Sequence, residues 1–159
     1  MKIGDICTRN PATVSTSATL AEVARLMKDR HIGTVIVTKA PLDRPVATGI
    51  ITDRDIACAQ LDRRSDLASL SAEEVMTRNP LEINAEDSLD KAIAKLRARG
   101  VRRAPVVSSS GALIGVISTD DLFAYVAREL MLLARLVTLQ PRQEATRSTA
   151  TAGAPWRSS

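Results

Sequence analysis

Apolar residues recur at helical spacing in two separate stretches of the chain, residues 20–27 and residues 89–96. Both stretches place them at positions i, i+3, i+4 and i+7, which predicts one buried face on each of two amphipathic helices. Residues 19–22 fit a capping box, and Asp87 or Ser88 can cap the second helix. The apolar positions are Leu20, Val23, Ala24 and Met27 in the first helix, and Leu89, Ala92, Ile93 and Leu96 in the second.

A pair of short β-rich runs follows each of these helices, and a further helix follows each pair. Turn residues separate the two runs of a pair, as is typical of adjacent strands. With the short extended segment that precedes each first helix, the pattern predicts a β-α-β-β-α unit in each half of the chain. The runs are 35–37 with 49–51 and 106–107 with 113–117, and the later helices begin at Asp53 and at Thr119 or Asp120.

The two halves are copies of one sequence pattern. Thr8–Pro11 recurs unchanged as Thr77–Pro80, an offset of 69, and Gly49–Thr52 matches Gly115–Ser118 at an offset of 66. The difference between the offsets falls in the turn between the two strands, where insertions and deletions are tolerated. A single unit of about 55–60 residues buries too little surface to be stable alone, so we expect the copies to share a core.

This repeat predicts the domain organisation. Residues 1–60 form the first repeat, 61–72 a linker, 73–139 the second repeat with an extended final helix, and 140–159 a disordered tail without periodicity. The final helix is expected to run from Asp120 to about Leu139. Its apolar stripe is longer than the repeat requires, and it fits either packing on its own domain or a dimer contact. The stripe consists of Leu122, Val126, Leu130, Leu133 and Leu136.

Composition narrows the classes of function. The chain holds one Trp, one Tyr and one Phe, which argues for an aliphatic core and against stacking of nucleic-acid bases. The net charge is +4, and residues 141–159 carry +2 of it, so no nucleic-acid partner is expected. With His31 as the single histidine, no metal site is expected, and Cys7 and Cys58 are predicted to be buried thiols. No segment resembles a membrane span or a signal peptide, so we expect a cytoplasmic protein.

Two short motifs can carry ligand chemistry. Thr52–Asp55 and Ser118–Asp121 each lie where a predicted strand ends and a helix begins. The hydroxyl stands at the helix N-terminus, which favours a phosphate, and the Asp one turn later can accept hydrogen bonds from both hydroxyls of a ribose. The same spacing is that of a capping box, and the spacing alone favours the cap. No nucleophile–base pair is visible, so catalytic residues are not expected.

The ordered set of Asn-Pro, amphipathic helix, strand pair and Gly-h-h-[Ser/Thr]-x-x-Asp, present twice, resembles a tandem cystathionine-β-synthase (CBS) domain pair, or Bateman module, over about residues 3–128. The resemblance implies an α/β (α+β) fold of two β-α-β-β-α repeats packed with pseudo-twofold symmetry. It further implies a stand-alone CBS protein and modules that commonly pair into dimers. It also favours ligand sites over simple caps, because in this family the Asp typically holds a ribose and the Ser/Thr lies near the phosphate.

Each of the two implied nucleotide sites borrows residues from the other repeat. One site would hold Ser118 and Asp121 with Ile32, Gly33 and Thr34, and the other Thr52 and Asp55 with Val101 and Arg102. Ile32 and Val101 would flank an adenine, and the backbone of residues 10–14 and 79–83 would contact its edge.

Two arginines of the second repeat are the candidates for phosphate binding. An arginine fork suits phosphate oxygens, although Arg102 and Arg103 also fit a solvated basic turn. Gly33 and Thr34 stand at these positions in the first repeat. We therefore expect two unequal sites, with phosphorylated ligands preferring the one that combines Asp121, Arg102 and Arg103.

The predicted function is a non-catalytic regulatory module that binds AMP, ADP or ATP, with NAD and S-adenosylmethionine left open. The nucleotide would be a regulatory ligand and not a catalytic cofactor, and the expected partners are a second copy of the chain and a regulated protein. The alternative is a ligand-free interaction or dimerisation module in which the two motifs only cap helices. A third class, nucleic-acid binding through the Arg-bearing tail, is disfavoured by the sparse charge.

Overall fold

The computed structural model describes the backbone of residues 1–39, 45–63 and 66–151, and their side chains except those of 62, 63 and 138–151. The predicted β-α-β-β-α order occurs in both repeats, so the fold class is confirmed. The first repeat contains β2 (Thr13–Ser15), α1 (Leu20–Arg30), β3 (Thr34–Lys39), β4 (Val46–Thr52) and α2 (Asp53–Arg63). The second contains β6 (Ile83–Asn84), α4 (Leu89–Arg99), β7 (Arg103–Val107), β8 (Leu113–Ser118) and α5 (Thr119–Thr151).

A short helical turn and a two-residue strand precede each of these units. They are a 3-10 turn (Ile3–Asp5) with β1 (Thr8–Arg9), and α3 (Ala72–Val75) with β5 (Thr77–Arg78). The two-residue strands are exchanged between the repeats: β1 pairs with β8, and β5 pairs with β4. Two equivalent four-stranded sheets result, in the orders β1-β8-β7-β6 and β5-β4-β3-β2. Neither sheet is therefore complete without a strand from the other repeat.

The first helix of each repeat, α1 and α4, begins and ends in the same way. Thr19 and Glu22 form the predicted capping box of α1, in which Thr19 Oγ1 accepts from the Glu22 N–H at 3.2 Å. Ser88, and not Asp87, is the N-cap residue of α4. Both helices end on a left-handed residue, His31 (φ 53°) in the first repeat and Gly100 (φ 64°) in the second. The first helices of the two repeats thus end with the same backbone geometry but with different residues.

Gly49 and Gly115 make room for the exchanged segments. A Cβ on Gly49 would overlap the side chain of Met76, whose Cγ would lie 2.7 Å away. A Cβ on Gly115 would lie 2.8 Å from both the Sγ of Cys7 and the backbone oxygen of Thr8. Real Cβ atoms do not approach other heavy atoms so closely, so each glycine is required by the segment that crosses over it.

We call the β5-β4-β3-β2 sheet the first sheet and the β1-β8-β7-β6 sheet the second. The buried residues lie on both faces of the first sheet. On one face, α1, α2 and α3 cover Val35, Val37 and Ile51. On the other face, Ile36 and Ala47 pack with Leu113 of the second sheet, and partly buried Ile50 and Val116 adjoin them. The repeats therefore share this second core, as expected. The second repeat is packed by its own aliphatic residues, among them Ile83, Ala92, Leu96, Ala104, Val106 and Ile117.

Two predicted burial assignments are wrong. Ile93 is 44% exposed, because it lies at the margin of the α4 stripe, about 100° from Ala92 around the helix. Cys58 is exposed on α2, where the buried face is formed by Ala59 and the half-buried Ile56. Cys7 is buried as predicted, and this burial raises the pKa of its thiol.

The final helix is longer than the sequence predicted. An end at about Leu139 was expected, with a disordered tail from residue 140, whereas the backbone of α5 is helical to Thr151. Seven of the twelve residues 140–151 are Gln, Arg, Glu or Ala, which favour helix, whereas Pro141 opposes it because it lacks a backbone N–H. The predicted disordered tail also includes residues 152–159, which lie outside the described residues. The chain divides into two compact units, residues 1–121 and 122–159, and no described helix is long and apolar enough to cross a membrane.

Candidate functional site

The two Ser/Thr-x-x-Asp motifs adopt the same geometry at the start of α2 and α5. Asp55 Oδ2 accepts hydrogen bonds from the backbone N–H and the hydroxyl of Thr52, both at 2.7 Å. Asp121 Oδ2 accepts from the backbone N–H of Ser118 at 2.8 Å and from its hydroxyl at 2.6 Å. The Asp N–H donates back to the hydroxyl in each case. Both motifs are therefore capping boxes.

The caps leave part of each motif for other chemistry. The capping contacts use one carboxylate oxygen, Oδ2, in both repeats. The other oxygen, Oδ1, takes no part in the cap, and the side chains of Asp55 and Asp121 are only half-buried. A ribose hydroxyl could donate to Oδ1 while the cap stays closed. Capping and ligand binding are thus compatible in one residue.

A cleft of about 370 Å³ lies between the repeats. Its apolar walls come from Ala12, Ile32 and Ile36 of the first repeat and from Val116 of the second. Val116 precedes Ser118 by two residues on the same face of β8, because strand side chains alternate between faces. The cleft therefore adjoins the Ser118–Asp121 motif. Its polar lining consists of Thr8, Asn10, Arg30 and Thr34, and Pro11 completes it.

Arg103 connects the repeats at the edge of this cleft. Its Nη1 donates a hydrogen bond of 3.0 Å to Thr34 Oγ1. Arg103 and Thr34 occupy equivalent positions, 69 residues apart, so their contact joins matching points of the two repeats. A Cβ on Gly33 would lie 3.6 Å from this Nη1 and 3.0 Å from Asp53 Oδ2. Gly33 thus leaves the space that the guanidinium occupies.

The structure places the other predicted pair at the surface. Val101 is exposed, and neither it nor Arg102 lines the 370 Å³ cleft. Arg102 Nη2 lies 3.7 Å from Asp120 Oδ1, and the Arg102 side chain is 81% exposed. Such an ion pair is weak in solvent. Of the predicted residues, the structure brings Ile32, Thr34 and Arg103 together beside the Ser118–Asp121 motif, and it leaves Val101 and Arg102 outside the cleft.

Sequence reasoning missed Arg30, a basic group that lines the cleft. The sequence predicted phosphate-binding arginines only in the second repeat, where two arginines are adjacent. Arg30 stands in the last turn of α1, just before the left-handed His31. Its signal was therefore available, since a basic residue at a helix end that precedes a binding loop is close to that loop.

The sequence suggested Asp87 only as a possible helix cap. Among the described side chains, Asp87 is the one charged side chain that is buried, with 4% exposure. Its Oδ1 lies 2.6 Å from Lys91 Nζ and its Oδ2 lies 2.6 Å from Lys95 Nζ. Burial raises the pKa of Asp87, but hydrogen bonds from Lys91, Lys95 and the Asn84 N–H outweigh it and lower the pKa to about 2. The spacing of one Asp with lysines four and eight residues later was the available signal.

Comparison with known proteins gives two matches to the CBS domain family model, over residues 3–62 and 72–128. The chain is 32% identical over 120 residues to the CBS domain-containing protein YhcV of Bacillus subtilis, a stretch that covers 76% of this chain and 81% of that protein. It is 26% identical over 122 residues to the uncharacterised protein MK0525 of Methanopyrus kandleri, covering 77% of this chain. The chain spans 61% of the length of MK0525.

A similar solved structure contains a nucleotide. It is the CBS domain protein PAE2072 from Pyrobaculum aerophilum complexed with AMP. The two chains are 28% identical and superpose with a TM-score of 0.67, over 76% of this chain and 89% of that chain.

Proposed function

Since the chain belongs to the CBS domain family, with one domain in each repeat, we propose that it is a non-catalytic regulatory module whose cleft binds an adenine nucleotide. The observation that carries the proposal is the cleft beside Thr34, which both repeats line and which Arg103 borders. The AMP complex of a protein 28% identical to this chain supports the same ligand class. AMP, ADP and ATP lead the candidates, and NAD and S-adenosylmethionine complete the panel.

The lining of the cleft, together with Asp121 and Arg103 beside it, suits the three parts of a nucleotide. Ile32, Ile36 and Val116 offer apolar surface for an adenine. Asp121 Oδ1 would accept hydrogen bonds from the ribose, and a carboxylate makes these bonds stronger than a neutral acceptor does. Arg103 would leave Thr34 to contact a phosphate, with Arg30 as a second cation. A volume of about 370 Å³ lies within the range of small-molecule sites.

Regulation would follow from binding across the two repeats. A nucleotide held by Thr34 and Ile32 on one side and Asp121 on the other stabilises one relative arrangement of the repeats. The ligand shifts the population of arrangements only as far as it binds one better than the others. We propose that this arrangement is passed to a regulated protein, and that the module acts as a homodimer. A second, weaker site would use Thr52 and Asp55.

One observation favours the alternative of a ligand-free interaction module. Both aspartates are already engaged as helix caps, so they have a structural role without any ligand. The alternative and the proposal differ in what happens when the carboxylate is neutralised. In the alternative, Asp55 and Asp121 have equal, purely structural effects.

The test is calorimetric titration of the wild type, Asp55→Asn and Asp121→Asn with AMP, ADP, ATP, NAD and S-adenosylmethionine. Each variant is the control of the other, because Asn removes the same negative charge at both sites and keeps an oxygen that can accept the capping hydrogen bonds. We expect Asp121→Asn to weaken the tighter binding event about 10- to 100-fold, and Asp55→Asn to weaken only the second event. No heat from any ligand, with folded protein free of bound nucleotide, would sink the proposal in favour of the interaction module.

A further inference from the structure

The described part of α5 beyond residue 121 exposes a long apolar stripe. Eight large apolar residues of this stretch are between 38% and 75% exposed, and five of them follow the 3-4 spacing of a helical seam. The seam residues are Phe123, Val126, Leu130, Leu133 and Val137. A seam spaced by three and four residues in turn is the pattern by which two helices interdigitate their side chains. We propose that this seam pairs with the same seam of a second copy of the chain.

The area of the seam is sufficient for a specific dimer. It spans four turns of helix, about 21 Å. Burial of a side chain of this size removes on the order of 100 Å² from water. The five seam residues of each copy would therefore bury about 1,000 Å² in total, which is the lower bound for a specific interface. The apolar patch of about 500 Å² on each copy is as large as the largest patches on monomeric proteins, which are often functional.

The residues beside the seam suit a second copy of the same helix. In an antiparallel pair centred between Met131 and Leu132, Leu130 lies opposite Leu133 of the second copy, and Val126 opposite Val137. Ala127 and Ala134 would then face one another across one edge, where their small size permits close approach. The pairing is self-complementary, as a twofold interface requires.

The charges of the helix do not oppose this pairing. Between residues 122 and 137 the charged residues are Arg128, Glu129 and Arg135. Arg128 and Arg135 lie on the face away from the seam, and Glu129 would face Leu136 of the second copy. No like charges meet across the pair, so electrostatic repulsion does not exclude it. The inference rests on the homodimer of the proposed function and names the surface that forms it.

The test measures the mass of the full chain by sedimentation, with Leu130→Glu as the seam variant and Met131→Glu as its control. Leu130 and Met131 are neighbours with the same exposure of 60%, but only Leu130 lies on the seam. We expect the wild type to sediment at twice the chain mass of 17.1 kDa. Leu130→Glu should raise the dimer dissociation constant at least about 100-fold, because each copy contributes a buried charge, whereas Met131→Glu should change it less than threefold.

Val137→Glu provides a second seam variant, and circular dichroism confirms that each variant is folded. A wild type that stays monomeric overturns the inference and the homodimer together. A dimer that persists in both folded seam variants, or that Met131→Glu disrupts equally, overturns the seam and leaves the homodimer to another surface. AMP titration of the same samples reports on the nucleotide proposal separately, so its failure is not confused with failure of the seam.

Discussion

The two repeats agree where the backbone imposes a requirement and differ at equivalent positions where only one of them carries a charged side chain. Both keep a glycine under the exchanged segment, a closed Ser/Thr-x-x-Asp cap and a left-handed residue after the first helix. These features follow from sterics and from unpaired backbone groups, which are the same in every copy of the fold. They are therefore evidence about the fold and carry little information about the ligand.

Two of the differences between the repeats change the charge at equivalent positions. Thr34 of the first repeat corresponds to Arg103 of the second, and the two residues touch. Ala18 corresponds to Asp87, which holds two lysines. If the two repeats were identical, equivalent positions on either side of the pseudo-twofold axis would carry the same charge. In this chain they do not. The comparison shows that the two repeats share a fold, whereas their charged side chains at equivalent positions differ.

The largest expected effect on ligand binding comes from removing the charge asymmetry at the cleft. Arg103→Ala should weaken AMP binding about 10- to 100-fold, since a hydrogen bond between charged groups contributes about 1.5–3 kcal/mol. Adenosine binding should change less than threefold, because it lacks the phosphate. Calorimetry with the two ligands separates these effects, and Arg97→Ala on the exposed end of α4 is the control. Equal losses for AMP and adenosine would assign Arg103 a structural role instead.

The second prediction concerns Gly49 and Gly115, the glycines over which the exchanged segments cross. Gly115→Ala should lower the free energy of unfolding by about 2–3 kcal/mol, since the new Cβ meets the backbone oxygen of Thr8 and would displace β1. Gly49→Ala should cost about 1–2 kcal/mol, because it meets the flexible side chain of Met76. Urea denaturation measures both. A Gly115→Ala protein as stable as the wild type would contradict the close packing of the exchanged strand.

The third effect concerns the buried carboxylate of the second repeat. The pKa of Asp87 is about 2 in the folded chain, below its ordinary value of 3.8. The unfolded chain therefore takes up the proton first as the pH falls, and the stabilisation present at neutral pH is lost between about pH 5 and pH 2. Asp87→Asn should lower stability by about 2 kcal/mol at pH 7 and by little at pH 2.

Urea unfolding of the wild type and Asp87→Asn at pH 7, 4 and 2.5 checks this dependence. Glu82→Gln is the control, because Glu82 is an exposed carboxylate just before β6. A constant difference between the wild type and Asp87→Asn at all three pH values would show that the titration of Asp87 does not control stability.

The smallest effect exchanges a residue between the repeats. His31 has a left-handed backbone that Gly100 adopts at the equivalent position. His31→Gly should stabilise the protein by about 0.5–1 kcal/mol, because the relief of the left-handed strain exceeds the added entropy of glycine in the unfolded chain. Thermal unfolding should show a slightly higher Tm. A lower Tm would mean that the His31 side chain makes a stabilising contact.

The elements within each repeat were predictable because their signals are local. The apolar spacing of α1, the Thr19–Glu22 cap and the Gly-h-h runs each depend on fewer than about ten neighbouring residues. The strand exchange was not predictable, since β1 and β5 are only two residues long and have no alternation. Arg103 was identified as a candidate, but its contact with Thr34 depends on how the repeats pack. The exposure of Ile93 follows from its place at the margin of the α4 stripe, which helical spacing shows, whereas the exposure of Cys58 depends on how α2 packs in the first repeat.

The strand exchange also has a consequence for synthesis on the ribosome. Thr8 pairs with Val116, so β1 must wait for 108 further residues before its partner strand exists. At about 5–20 residues per second, this delay is roughly 5–20 s. The first sheet, in turn, lacks β5 until residue 78 has emerged. The nascent chain therefore carries an unpaired strand and an open sheet edge at once, and on polysomes each can pair with its counterpart on a neighbouring chain.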